Sequence, residues 1–243
     1  MPHVPITAPP SVVQFEADLR APVAGWLEAT LGPAVLADEL DLGFGAPDLV
    51  AGIPARLAER VASGVGPITD PAQVFALDAL RTPATEAALR THTSSTWSRY
   101  RGRVIEPLAE QGLLAEENGV WQTALAPIDV FPALVAVELK LRDWRRAIAQ
   151  AARYRAFART TFIAMPERRL PDAALEAAAA RGVGVLAIGE SGAVCVVAAD
   201  DLPPLDERVR TLASELVLAS FLGLRENLPA GSPRGQRPAA LVP

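Results

Sequence analysis

The spacing of apolar residues predicts that strands and helices alternate along the chain. Apolar residues recur at helical spacing in "VVQFEADLRAPVAGWLEATLG", which Ser11 can cap, and "AVLADELDLGFGAPDLVAG" alternates as two short strands joined at Gly43 and Gly45. Asp48 starts the second of these strands. Glu16 falls on the apolar stripe of the helix, which is an unusual position for a carboxylate.

The same alternation returns after residue 125. The segments "ALVAVELKL" and "TFIAMP" predict strands, and "RDWRRAIAQAARYRAFART" and "DAALEAAAARG" predict helices. A final strand pair is predicted in "VGVLAIG" and "AVCVVAA", and a last helix in "DERVRTLASELVLASFLGL". Alternating strands and helices are typical of a layered α/β fold.

The segment between these two regions has a different pattern. Three short helices are predicted in "AQVFALDAL", "ATEAALR" and "SSTWSRYRGRVIEPLAEQGLL", and a β-hairpin follows around Asn118 and Gly119. This order is that of a winged helix-turn-helix, in which Arg99, Arg101 and Arg103 would project from the recognition helix or its border.

These patterns divide the chain into six parts. They are a flexible arm (1–10), the first part of the α/β core (11–52), a winged-helix-like insertion (53–124), the second part of the core (125–200), a C-terminal helix (201–228) and a disordered tail (229–243). The helix of residues 205–224 could also serve as the interface of a homodimer.

Composition narrows the class of protein. Half of the 243 residues are hydrophobic, at 50%, which is enough for a sizeable core. The single cysteine, Cys195, lies in the apolar run "GAVCVVAA" and is predicted to be a small buried side chain in a reducing compartment. Because no signal-peptide pattern and no apolar run of about 18 residues is visible, we predict a cytoplasmic protein without a membrane partner.

Charge is unevenly distributed along the chain. The formal net charge is -5, which disfavours a polyanionic partner, yet residues 140–169 hold nine basic residues and two acidic ones. This window includes Arg145 and Arg146. It predicts a local basic face that can contact a nucleic-acid backbone.

The basic window begins with the only lysine of the chain, Lys140, in the stretch "VAVELKLRDW". Side chains alternate along a strand, so Glu138 and Lys140 share one face, about 7 Å apart. A carboxylate there can hold Mg²⁺, and an ammonium can orient a water or help to deprotonate it, which a guanidinium does poorly because its pKa is too high. A plain ion pair at a strand end is the alternative interpretation.

Two motifs resemble those of a known family. "ELK" follows an upstream "PD" (Pro47 and Asp48), and "QAARY" lies on the next helix, which resembles the PD-(D/E)XK nuclease superfamily in its RecB-like QxxxY branch. The resemblance covers roughly residues 11–50 and 125–195. It implies a restriction-endonuclease-like mixed sheet flanked by helices, with the small winged helix as an inserted subdomain. It also implies phosphodiester hydrolysis with Mg²⁺ or Mn²⁺, acting on DNA.

The resemblance implies a role for each matching residue. Asp48 and Glu138 would bind the metal together with the backbone carbonyl of Leu139, and Lys140 would position or activate the attacking water. Glu16 would bind a second ion or the lysine. The residues that support the site or contact the nucleic-acid backbone would be Gln150 and Tyr154.

Several alternatives stay open at this point. About 90 residues separate Asp48 from Glu138, whereas Asp129 in "PID" lies nine residues before Glu138 and is the alternative metal ligand. Glu16 could instead pair with Arg20, four residues further along the helix. Two other functions are open: a catalytically silent nuclease fold that binds DNA through its winged helix, and a nuclease that acts on RNA.

Overall fold

The computed structural model describes residues 15–43, 45–91, 93, 95–125 and 129–224. The strands in these residues are β1 (Val35–Asp38), β2 (Leu49–Ile53), β3 (Ala84–Thr85), β4 (Leu114–Glu117), β5 (Val120–Thr123), β6 (Ala133–Leu139), β7 (Thr160–Pro166), β8 (Gly184–Gly189) and β9 (Gly192–Val197). The helices are α1 (Arg20–Leu31), α2 (Leu57–Ala62), α3 (Pro71–Ala79), α4 (Glu86–Thr91), α5 (Trp97–Tyr100), α6 (Glu106–Glu110), α7 (Trp144–Arg153), α8 (Asp172–Ala179) and α9 (Glu207–Phe221).

A six-stranded mixed sheet forms the centre of the molecule, in the order β1-β2-β6-β7-β8-β9. β6 and β7 pair in parallel, as do β7 and β8, and the other neighbours are antiparallel. β6 is central because the run "ALVAVEL" is apolar at nearly every position, which suits a strand covered on both faces. The predicted α/β class with a mixed sheet flanked by helices is confirmed.

Helices cover both faces of this sheet. On one face, Leu19, Val23 and Leu27 pack against alternate residues of β6. On the other face lie α7 and α8, which pack on β6, β7 and β8, and α9, which packs on β1 and β2. Burying each such leucine or valine stabilises the fold by roughly 1.5 to 3 kcal/mol. The central strands therefore lie between two packed layers of helices.

Residues 57–123 form a smaller unit between β2 and β6. Its helices α2 to α6 surround a three-stranded sheet of order β3-β5-β4, and α5 and α6 are joined by a π-helical turn, Arg101–Ile105. The hairpin turn at Asn118 and Gly119 has positive φ at both residues, 54° and 79°, as a type I′ turn requires. The unit shares one hydrophobic core with the sheet, because α3 packs on α9.

Three details differ from the sequence predictions. The first helix begins at Arg20, after a 3₁₀ turn at Glu16–Leu19, and Ser11 lies outside the described residues, as do the predicted arm and tail. Cys195 is exposed, because β9 is an edge strand covered only partly by α1 and α8. Residues 212–219 of α9 are all buried within the chain, so in the predicted interface helix of residues 205–224 the exposed apolar residues lie at the two ends, as Leu205 and Phe221 do.

The described part of the chain contains no helix that is long and apolar enough to cross a membrane.

Candidate functional site

The predicted acidic residues and the lone lysine converge at one end of β6. The antiparallel register pairs Leu49 of β2 with Val137 of β6, and extending it by one residue places Asp48 opposite Glu138. Lys140 follows the last residue of β6 rather than lying within the strand, and its N–H donates to the carbonyl of Ala164 on β7 at 3.0 Å. The register thus fixes these groups side by side.

The ammonium of Lys140 lies among four oxygen-bearing groups. Its Nζ is 3.0 Å from Oε1 of Glu138 and 2.9 Å from the carbonyl of Leu139. Oε2 of Glu16 is 3.4 Å away and Oδ2 of Asp48 is 3.9 Å away. These are the same four groups that the family resemblance implied as ligands of metal or lysine.

Glu138 is held by a tyrosine. Its side chain is only 2% exposed, and Oε2 accepts a hydrogen bond of 2.6 Å from the hydroxyl of Tyr154, which follows α7 in a 3₁₀ turn. Burial, followed by the hydrogen bond to Glu138, raises the pKa of Tyr154 far above its usual value, so the hydroxyl remains a donor. The second predicted supporting residue, Gln150, lies one helical turn earlier, and its Oε1 is buried without a hydrogen-bond partner among the described residues.

Asp48 is an unusually basic carboxylate. Burial raises its pKa to about 6, and the nearby charge of Glu138 adds to this, although a 2.6 Å hydrogen bond from the N–H of Leu139 works in the opposite direction. Two carboxylates lie side by side here in a partly dry environment. A cation near both would stabilise their ionised forms.

Lys140 is charged in this arrangement. Burial lowers its pKa, but the hydrogen bond with Glu138 and the charges of Glu138, Asp48 and Glu16 together outweigh burial, so the pKa is raised above its usual value. The side chain therefore stays protonated at neutral pH in the metal-free protein, and it acts as a hydrogen-bond donor. It can orient a water or a phosphate oxygen, but it cannot accept a proton while all three carboxylates surround it.

Glu16 reaches the site from the opposite layer. It lies in the 3₁₀ turn that leads into α1, and its Oε1 also faces the backbone N–H of Leu141 at 3.4 Å. The alternative pairing with Arg20 is not formed, because Arg20 instead holds Asp38 with two contacts of 2.6 Å.

A cleft of about 560 Å³ opens in front of the ammonium. Its lining comes from the turn before α1, the loop after β6, α7 and the segment after β7. The residues are Glu16, Lys140, Leu141, Arg142, Asp143, Arg146, Gln150 and Arg169. Asp143 caps α7 with an unusual positive φ of 24°, which stores local strain beside the site.

The donors present match a hard divalent cation in type. Carboxylate and carbonyl oxygens are the ligands that Mg²⁺ prefers, and the ammonium of Lys140 lies where those oxygens converge. Within the described ranges, no group of three or more His, Cys, Asp or Glu side chains stands close enough together to hold a metal ion. Any ion would therefore rest on two carboxylates, the Leu139 carbonyl and water, with the ammonium displaced.

Other predicted residues lie elsewhere. Asp129 precedes the opposite end of β6 and pairs with Arg210 of α9 at 2.9 Å. Arg145 covers the ring of Trp144 at 4.1 Å, whereas Arg146 lines the cleft. In the smaller unit, the three predicted arginines differ: Arg99 is exposed, Arg101 pairs with Glu106 at 3.1 Å, and Arg103 pairs with Asp70 at 2.8 Å.

Sequence reasoning missed two arginines of the cleft as site residues. Arg142 follows Lys140 by two positions, and Arg169 lies in the 3₁₀ turn that follows β7. Because β6 and β7 are parallel, their carboxyl ends meet at one edge of the sheet. Basic residues that directly follow both strands were therefore the sequence signal that could have identified these two arginines.

The fold and this cluster define an α/β protein with a charged cleft at the end of its central strands. Comparison of the chain with known protein families, curated proteins and solved structures finds no significant match.

Proposed function

We propose that this protein is a metal-dependent phosphodiesterase that cleaves DNA. The observation that carries the proposal is the convergence of three carboxylates on the ammonium of Lys140, the only lysine of the chain: Glu138 at 3.0 Å, Glu16 at 3.4 Å and Asp48 at 3.9 Å. Arginines line the same cleft. Carboxylates beside cations in one concave site suit the hydrolysis of an anionic ester.

Each residue has a role in this proposal. Asp48, Glu138 and the carbonyl of Leu139 would hold Mg²⁺ or Mn²⁺, which when bound would neutralise charge on the phosphate and acidify a water. Tyr154 keeps Glu138 in position through its hydroxyl. Lys140 orients the attacking water or a phosphate oxygen as a donor, and Glu16 holds the ammonium from the solvent side.

The net reaction adds one water across a phosphorus–oxygen bond. The water oxygen forms a bond to phosphorus, the bond to the leaving oxygen breaks, and the leaving oxygen takes up a proton while the water releases one to solvent. Donors held at fixed positions near the developing charge stabilise such a transition state by several kcal/mol, on the order of 3 for one group.

The smaller unit is part of the proposal as a winged helix that engages duplex DNA. Its helix and strand order, with a small sheet arranged β3-β5-β4 beside α3 to α6, supports this assignment. The charges of this unit support DNA binding less. Arg101 and Arg103 are engaged in ion pairs. Two carboxylates, Glu116 and Glu117, are exposed next to the hairpin turn. We therefore assign most of the affinity for nucleic acid to the cleft.

The test is cleavage of supercoiled plasmid, linear duplex, single-stranded DNA and single-stranded RNA, with Mg²⁺, Mn²⁺ or EDTA. Lys140→Met and Glu138→Gln should each lower the cleavage rate at least about hundredfold, which is typical for loss of one charge-stabilising group. Arg181→Gln, which removes an exposed cation outside the cleft, should cleave as the wild type does. Failure of the wild type to cleave any substrate with either metal would refute the proposal, and faster cleavage of RNA would reassign the substrate.

A further inference from the structure

The arginines of the cleft lie close together and lack acidic partners. Across the described residues, no carboxylate lies within 4.0 Å of the guanidinium of Arg142, Arg146 or Arg169. Elsewhere on the molecule, exposed arginines such as Arg20 and Arg159 are neutralised by Asp38 and Asp201. Three unneutralised guanidiniums around one concavity concentrate positive potential there.

These side chains are carried on well-defined backbone. Arg169 donates from Nη1 to the carbonyl of Leu141 at 3.1 Å, which ties the turn after β7 to the loop after β6. Arg146 lies in the first turn of α7, whose cap Asp143 accepts a hydrogen bond of 3.2 Å from the Arg146 N–H. Asp143 is thus engaged with the backbone at the helix start rather than with a guanidinium.

A second cleft of about 550 Å³ adjoins the first and extends the path away from the carboxylates. It shares Arg142, Asp143 and Arg169 with the first cleft. Its remaining lining combines one further arginine with an apolar wall, namely Arg168, Trp144, Leu170 and Pro171. Guanidiniums next to an apolar and aromatic surface suit a phosphate that carries an organic group rather than a free inorganic ion.

We propose that Arg142, Arg146 and Arg169 form an anion subsite for a second phosphate of the substrate strand, next to the phosphodiester that lies at the carboxylates. This inference rests on the proposed function and specifies which part of the substrate the cleft binds. A guanidinium presents a planar pair of donors that fits phosphate oxygens, and the subsite lies in the cleft that also contains Lys140. The second phosphate is either a terminal phosphomonoester or an internal phosphodiester.

The test measures binding without cleavage. A fluorescently labelled single-stranded oligonucleotide is titrated with protein in EDTA, and fluorescence anisotropy gives Kd at several salt concentrations. Arg142→Gln and Arg146→Gln should each weaken binding about fivefold to tenfold and reduce the slope of log K against log salt by about 0.7. Arg181→Gln, which removes the same charge outside the cleft, should leave both quantities unchanged.

The outcomes separate this inference from the proposed function. Arginine variants that bind as tightly as Arg181→Gln would overturn the subsite, as would a wild type that binds no more tightly than the Arg142→Gln, Arg146→Gln double variant. A wild type that binds as expected but cleaves no substrate would retain the subsite and refute the phosphodiesterase. Circular dichroism of each variant verifies folding, and neither Arg142 nor Arg146 makes a side-chain hydrogen bond among the described residues whose loss would disturb the fold.

The same titration distinguishes the two sources of the phosphate. Oligonucleotides with a 5′-phosphate, a 3′-phosphate or two hydroxyl ends are compared with a circular single strand. A preference of tenfold or more for one phosphorylated end, lost in Arg146→Gln, would identify a subsite for strand ends. Equal binding of all four, with the same loss in the variant, would identify an internal phosphodiester.

Discussion

Two clusters of charged side chains in this protein differ in their surroundings. In the first, Arg60 of α2 and Glu215 of α9 form an ion pair of 2.7 Å with side-chain exposures of 1% and 4%. Arg60 also donates to two backbone carbonyls, and Glu215 accepts from the N–H of Ile68. In the second, the ammonium of Lys140 faces three carboxylates at the mouth of a cleft.

The difference lies in charge balance and in access. The Arg60 pair matches one cation with one anion and fills its remaining hydrogen bonds from the backbone, so it can be closed off from water. The Lys140 cluster has a surplus of carboxylates, and the charge of Glu138 adds to the burial that raises the pKa of Asp48 to about 6. A closed and balanced cluster fits a structural role, whereas an open and unbalanced one is suited to binding a further cation.

The largest predicted effect on stability concerns the closed pair. Arg60→Met leaves Glu215 buried without its cation, so the free energy of unfolding should fall by about 3 to 5 kcal/mol. Lys140→Met should change it by less than about 1 kcal/mol, because Glu16 and Asp48 are open to water and the buried Glu138 keeps its hydrogen bond from Tyr154. Urea denaturation followed by circular dichroism measures both. Equal losses in the two variants would show that the clusters do not differ in this way.

The pH dependence of the stability of Arg60→Met tests whether the loss comes from the unpaired charge of Glu215. Burial raises the pKa of Glu215 above its unfolded value, so the folded state holds this proton more tightly and loses stability as pH rises through the folded pKa. The loss in free energy of unfolding that Arg60→Met causes should therefore be smaller near pH 4.5 than at pH 8. The Arg60→Met, Glu215→Leu double variant, which removes both charges, should recover most of the loss at pH 8.

The two clusters also differ in how far the sequence predicts them. Strand alternation places Glu138 and Lys140 on one face, and the "PD" before β2 predicts Asp48, because these signals lie within single elements. The Arg60 and Glu215 pair joins residues 155 positions apart, and no local pattern links them. The exposure of Cys195 was likewise missed, because an apolar run does not reveal that its strand lies at the sheet edge.

The second prediction uses magnesium as a probe of the open cluster. A cation that binds only the folded protein raises the free energy of unfolding by about 2.7 kcal/mol at a concentration 100 times its Kd. We expect Mg²⁺ to raise the thermal midpoint of the wild type and of Arg60→Met, which keeps the cluster intact. Asp48→Asn should lose this shift, since it removes one of the two carboxylate ligands. An equal shift in Asp48→Asn would place the ion elsewhere.

The third prediction is that the open cluster costs stability in the metal-free protein. The folded pKa of Asp48, about 6, exceeds the unfolded value, so stability is lost as pH rises between roughly pH 4 and 6. Asp48→Asn should therefore stabilise the protein in EDTA at pH 8 by roughly 1 to 2 kcal/mol, allowing for solvent screening of a partly exposed group. Near pH 4 the variant and the wild type should unfold at the same urea concentration. A variant less stable than the wild type at pH 8 would contradict this account.

The smallest predicted effects concern the exposed charges of the smaller unit, where Arg103 pairs with Asp70. The arginine is 60% exposed, so Arg103→Gln should lower the free energy of unfolding by no more than about 0.5 kcal/mol. Asp70 has a second use, since its side chain accepts from the N–H of Ala72 and caps α3. Asp70→Ala should consequently cost about 1 kcal/mol through the lost cap. Equal losses of unfolding free energy in the two variants would mean that the ion pair contributes more than its exposure implies. Duplex binding is measured separately by fluorescence anisotropy. A loss of binding in Arg103→Gln would show that this arginine contacts DNA although it pairs with Asp70.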